Sequence, residues 1–322
     1  MDFELSDDQV ALVDGVRALL AGRFDIDTVR GLETHGGVER GKWHELAETG
    51  VFSLTLSEAA GGVGLGWADA VLVFEVLGHA LVPGPLVATL LAAELVEGAA
   101  SGDVVVGMIE RPPPGEPAYI EYPAAIDTLL VLDADGVWQI APGPLELRPV
   151  HKPLDVLTPA AHVASLPQGD RIADAAVAAI LRTRGAVLTS AIQLGVAEGA
   201  CDLATAYAKE RRQFGKPIGQ FQAVKHLCAD MVTRVEVTRA AVYMAGLCCD
   251  DATIEDPTRA ASMARIMANY ASSENGKDCV QVHGGMGYTW EVDAHLFLKR
   301  AWALAYAFGS SDDHAEVMAA FV

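Results

Sequence analysis

Proline breaks helix interiors and central strands, because it lacks an N–H donor and its ring clashes with the preceding turn. In this chain of 322 residues the prolines are not spread evenly. Eleven of the 15 lie between positions 101 and 170, with two before that window and two after. The flanks can therefore form long helices and the middle cannot. This predicts three segments: a helical domain over 1–100, a small β domain over 101–172, and a helical domain over 173–322. The expected fold class is mainly α with a small β middle domain.

Local signals agree. Ser6, followed by Asp7, Asp8 and then Gln9, has the spacing of a capping box with acids in the first helical turn. Leu12, Val16 and Leu19 then share one face. A second helix is expected from Trp43 to Gly50, and WADAVLVFEVLGHAL resumes helical periodicity after the glycine-rich loop SEAAGGVGLGW. In the middle, DVVVGMI, DTLLVLD and GVWQI read as strands, with DADG as a hairpin turn and ERPPPGEP as a loop. Four to six short strands in one small sheet are expected. Helices return after Asp174. From Ala223 to Asp250, residues Val224, Cys228, Met231, Val235, Thr238, Val242 and Ala245 recur at spacings of four and three, the seam of a four-helix bundle.

Composition narrows the partners. With 51% hydrophobic and 20% charged residues the chain is globular. Its net charge of −20 would repel a polyanion, so nucleic acid is not expected as a partner. The start MDFELSDD has no apolar core and reads as no secretory signal. The most apolar stretch, from Ala80, is broken by Pro83 and Pro85 and meets Glu94, short of the ~20 apolar residues a membrane span needs. No membrane association is expected. The five cysteines show no CxxC pairing and read as reduced thiols of a cytoplasmic protein, with no metal.

Against that acidity, residues 210–222 read ERRQFGKPIGQFQ. Arg211 is a fixed, bidentate cation suited to a diphosphate. Gln213 and Gln222 can hydrogen-bond phosphate or nucleoside groups, and Phe214 offers a flat face. In QVHGGMGYTWE, Gly284 and Gly285 lack Cβ atoms, so their backbone could approach an anion. Taken alone, RRQFG also fits a helix-end turn whose arginines complement the dipole, and GGMG a helix-terminating turn.

Order and motifs together resemble the acyl-CoA dehydrogenases, which are FAD enzymes. Glu58 to Gly64 is similar to the family's E-x-x-G-G-x-G loop. The stretch YAKERRQFGKPIGQFQ resembles its Arg-x-x-Phe-Gly…Gln signature, and QVHGGMGYTWE its Gln-x-x-Gly-Gly-x-Gly segment. The resemblance implies that Arg211, Gln213, Phe214, Gln222, Gln281, Gly284 and Gly285 cross a subunit interface. There they would hold the ADP part of an FAD bound mainly by the neighbouring subunit.

Desaturation between Cα and Cβ of an acyl-CoA needs a carboxylate to take the α-proton. The family supplies it from one of two places, and the aligned positions in this chain are Gly309 and Gly185, the latter 26 residues before Arg211. No catalytic residue is therefore assigned. Asp312, Asp313 and Glu198 lie nearby and read as solvated acids. The family's Thr-Glu-x-x-x-Gly-Ser-Asp motif is missing from 101–169 as well.

The resemblance thus implies a short, non-catalytic subunit that completes the FAD site of a full-length acyl-CoA dehydrogenase partner. It implies an α2β2 assembly, an acyl-CoA substrate such as a steroid side-chain thioester, and an electron-transfer flavoprotein as electron acceptor. Two alternatives remain at this point: a self-sufficient homo-oligomeric dehydrogenase with a displaced base, and a flavin-free scaffold.

Overall fold

The computed structural model describes residues 5–321, so the first four residues of the stretch read as no secretory signal lie outside it. Helix α1 (Asp7–Arg23) starts at the predicted cap. The Gln9 backbone N–H donates to Ser6 Oγ at 3.2 Å, and the Ser6 backbone N–H donates to Gln9 Oε1 at 3.1 Å. Helices α2 (Ile26–Gly31), α3 (Arg40–Ala47), α4 (Trp67–His79) and α5 (Leu86–Leu91) follow. α3 begins three residues before Trp43 because the Glu39 carboxylate caps the N–H groups of Gly41 and Lys42, both at 2.9 Å.

The middle holds seven strands, more than expected: β1 (Val106–Glu110), β2 (Ala118–Glu121), β3 (Thr128–Leu132), β4 (Gly136–Ile140), β5 (Arg148–Pro149), β6 (Ala160–Val163) and β7 (Asp170–Asp174). They form two sheets instead of one, in the orders β1-β3-β4-β7 and β2-β6-β5. β1 and β3 are parallel and the other pairs antiparallel. The three runs rich in aliphatic residues became β1, β3 and β4. The additional strands lack that signature; β5 is an edge strand, where Pro149 is tolerated. DADG closes the β3–β4 hairpin, with Asp133 Oδ1 accepting the N–H groups of Asp135 and Gly136 at 2.9 and 3.1 Å.

After β7 come the long helix α6 (Ala175–Glu210), a hairpin of β8 (Arg212–Gln213) and β9 (Lys216–Pro217), and then α7 (Gln222–Asp250), α8 (Pro257–His283), α9 (Ala294–Ala303) and α10 (Ser311–Ala319). The predicted α7 seam holds: Met231, Val235, Thr238, Val242 and Ala245 are buried, with Val224 and Cys228 half-buried. α6 is long and apolar enough to cross a membrane by length and composition, and 56% of its most apolar window is buried inside the protein. All five cysteines are free thiols, and burial pushes Cys201 up to about 11 and Cys279 up to about 12.

Packing divides the chain into two compact units. One comprises Met1–Gly22, Val71–Val82 and Ala186–Val322; the other comprises Arg23–Ala70 and Pro83–Gly185. The second unit contains both sheets, and Arg40 ties α3 to it by donating to both carboxylate oxygens of Asp127 at 2.7 Å.

Within the first unit the α4 and α6 backbones touch. A Cβ on Gly195 would lie 1.9 Å from the Glu75 carbonyl oxygen, and one on Gly78 would lie 2.1 Å from that of Ile192. The crossing buries Glu75 to 6% exposure against α7. Its carboxylate accepts from Arg239 Nε and Nη2 at 3.1 and 3.0 Å and from the Tyr243 hydroxyl at 2.7 Å. Burial pushes the Glu75 carboxyl up despite these donors. Gly195→Val should therefore lower the free energy of unfolding by about 3 kcal/mol in chemical denaturation, as severe overpacking does. Gly285→Ala, where an added methyl meets nothing within 4 Å, should change it by under about 0.5 kcal/mol.

Candidate functional site

The end of α6 and the start of α7 form one exposed corner. The Arg211 N–H donates to Tyr207 O at 2.8 Å as the helix ends, and the Ile218 N–H returns to Arg211 O at 2.8 Å, closing the β8–β9 hairpin. Its two loop residues, Phe214 and Gly215, have φ of 50° and 79°, the positive pair that a two-residue type I′ loop requires. The glycine adopts this freely; for a phenylalanine the left-handed region costs about 1–2 kcal/mol. That side chain, on a strained backbone, is 90% exposed and meets the Phe221 ring edge-on, 6.0 Å between centroids. Lys216 Nζ lies 4.5 Å from the Phe221 ring centre. Gln222 opens α7, and Arg211, Gln213 and Gln222 are all exposed. Among the described residues the Arg211 guanidinium has no ion pair.

A second corner lies at the end of α8. Gln281 is exposed on the last turn, and Gly284 ends the helix with φ of 64°. A Cβ on Gly284 or Gly285 would meet nothing within 4 Å, so neither glycine is needed for internal packing; the space beside them is open. Between Gln281 and Gly284, the buried His283 donates from Nδ1 to Cys279 O at 2.8 Å and stacks on Tyr207 with centroids 4.1 Å apart. This stack joins the two corners. Tyr207 precedes Arg211 by one helical turn, and His283 sits among Gln281, Gly284 and Gly285. The seven residues predicted from the sequence therefore occupy two linked, solvent-facing turns of one unit.

The two positions that could carry a base offer none. Gly185 is buried within α6. Gly309 has φ of 102°, and its Cβ would lie 2.8 Å from His314 Nε2. The nearby acids are engaged or exposed. Asp313 closes a capping box with Ser310 at the start of α10, and those hydrogen bonds hold its carboxyl below the usual range. Glu198 accepts from Arg239 at 2.8 Å. Asp312 is exposed in the first turn of α10.

Around Gly309 the structure adds residues that the sequence reading missed. His314 Nε2 donates to Phe308 O at 2.9 Å and its Nδ1 meets Ser262 Oγ at 3.0 Å. Arg265 of α8 reaches the same turn. The available signal was an arginine at a seam position of α8 among Ala261, Ala264 and Ala268.

A helical segment, two small sheets and a long-helix bundle with these two motif-bearing corners define the class. The acyl-CoA dehydrogenase N-terminal domain family matches residues 6–102, and the C-terminal domain family matches residues 175–322, on either side of the strand-rich middle. The chain belongs to the acyl-CoA dehydrogenase family. It is 32% identical to the acyl-CoA dehydrogenase IpdE2 of Mycolicibacterium smegmatis, over 95% of this chain and 96% of that one. Its fold is similar to a chain of the ChsE4-ChsE5 complex from Mycobacterium tuberculosis, with TM-score 0.84, 22% identity, and coverage of 99% and 98% of the two chains. It is also similar to the Tcur3481-Tcur3483 steroid ACAD in its G363A variant, with TM-score 0.83, 22% identity, and coverage of 98% and 97%.

Burial is the main cause that lowers the His314 pKa from its ordinary 6.5. The unfolded chain then binds the proton more tightly, so stability is complete above pH 6.5 and is lost as pH falls below it. Denaturation midpoints taken between about pH 7 and 5 should show this loss, and His314→Gln should flatten it. Gly309→Glu should also lower stability by at least ~1 kcal/mol, since a side chain there is strained in φ and meets the imidazole.

Proposed function

We propose that this chain is the non-catalytic subunit of a heteromeric, FAD-dependent acyl-CoA dehydrogenase, completing the flavin site of a full-length partner. The observation that carries this reading is a contrast within one unit. Among the described residues, an arginine without an acid partner and an open glycine turn stand exposed, while the base position is Gly309, at a positive φ and backed by an imidazole. Groups that would receive an anionic cofactor are present; the group that would take a proton is not.

The residues fit the diphosphate end of FAD. Arg211 would pair with it bidentately, and the backbone at Gly284 and Gly285 could approach it without obstruction. Gln213, Gln222 and Gln281 would hydrogen-bond its phosphate or adenosine groups, and Phe214 would cover a flat face. When bound, FAD would supply a hydride acceptor for the β-hydrogen of the acyl-CoA, with an electron-transfer flavoprotein as the onward electron acceptor. The carboxylate for the α-proton comes from the partner, as does most of the acyl pocket. The assembly is α2β2. The two-component ChsE4-ChsE5 complex supports the pairing, and the similarity to a steroid ACAD supports a steroid thioester as substrate. Five free thiols are in keeping with the cytoplasm.

Arg211→Ala in the co-produced complex should weaken FAD retention roughly 10- to 100-fold, the loss of a charge-assisted bidentate contact. Flavin absorbance after gel filtration reads this directly, and Arg211→Lys should fall between. Unchanged occupancy in Arg211→Ala would remove the main support for the reading.

A further inference from the structure

Arg265 is 0% exposed and has no carboxylate partner among the described residues. All of its hydrogen bonds run to neutral oxygens. Nε and Nη2 donate to Ala307 O at 3.2 and 2.8 Å, Nη2 also donates to Leu304 O at 2.5 Å, and Nη1 donates to the Gln193 side chain. Burial pulls the guanidinium pKa down to about 10. Burying a cation with carbonyl dipoles alone is unfavourable, and an apolar residue of similar volume would usually fill a core as well. The arginine must therefore be read through what its fork holds.

It holds a strained turn. Phe308, next to Ala307, has φ of 54°, and Gly309 follows at 102°. His314 takes the Phe308 carbonyl from the other side. Gln193 extends the tether, donating to Asn269 Oδ1 at 3.2 Å, and Asn269 donates to Ser311 Oγ at 2.7 Å. The start, middle and end of Leu304–Ser311 are thus each fixed from the helical core. Strain of this kind persists only where surrounding contacts over-determine it. Here it persists in a turn whose base position is glycine.

We infer that Arg265 is a positioning residue that holds the Leu304–Ser311 turn as a rigid wall of the acyl-CoA site, a role independent of supplying the base. The inference rests on the subunit reading for the identity of that site, while the pinning of the turn belongs to this chain alone.

The test uses the full chain and its complex, with Arg265→Met, Arg265→Lys and Asn269→Ala. Amide hydrogen exchange on the full chain should rise roughly tenfold in residues 304–311 of Arg265→Met, with the α7 seam unchanged. In the complex, flavin absorbance should be kept, KM for acyl-CoA should rise roughly fivefold and kcat should change little. Arg265→Lys, which can still donate to the two carbonyls, should restore most of both. Asn269→Ala, which cuts only the Ser311 tether, should give a smaller rise in the same residues, and it serves as the test if Arg265→Met does not fold. Exchange unchanged at 304–311, or raised evenly along the chain, would overturn the inference. So would a loss of kcat with KM unmoved. Failure of the subunit reading would show separately, as a wild-type complex without flavin.

Discussion

At Gly195 the α6 backbone passes so close to α4 that a methyl group would lie 1.9 Å from the Glu75 carbonyl oxygen. Little else in the first unit could stay as it is if that approach were lost. It delivers the Glu75 carboxylate to Arg239 and Tyr243 of α7, and Arg239 also gathers Glu198 of α6. Three helices are thereby tied together by one part-buried ionic cluster. The hairpin that carries Arg211 leaves from the end of α6, and Gln222 stands at the start of α7. The exposed corner inherits its geometry from a contact deep in the bundle.

The chemistry follows from what this scaffold displays and what it omits. In a chain with a net charge of −20, an unpaired cation is a favoured place to hold an anion, and among the described residues Arg211 is such a place. The Tyr207–His283 stack sets the glycine turn beside the same helix end. At the turn around Gly309 the positive φ and the imidazole 2.8 Å from an added Cβ disfavour a carboxylate side chain. On the proposed reading, binding and proton transfer are separated, the first kept here and the second left to another chain.

Much of this was legible in the sequence, for reasons that differ by element. Ser6 and Gln9 form the predicted cap because a capping box is closed within four residues. The α7 seam and the proline-rich middle were readable because periodicity and backbone restriction are local properties. The short strands β2 and β5–β7 were not, since their pairing depends on partners rather than on their own β-branched content. α3 starts early on a glutamate cap that composition does not advertise. The Arg265 network joins residues about forty positions apart along the chain, and only tertiary packing shows that its fork closes on carbonyls and not on an acid. Motif residues such as Arg211 and Gly284 could be named from the sequence, but their juncture through Tyr207 and His283 could not.

The central claim is that this chain displays half of a flavin site. The most direct test is the visible absorbance spectrum and solution mass of the protein produced alone, then together with a full-length acyl-CoA dehydrogenase chain from the same genome. The account predicts a colourless protein alone and a yellow α2β2 complex with the partner. A yellow protein that turns over acyl-CoA by itself would contradict it.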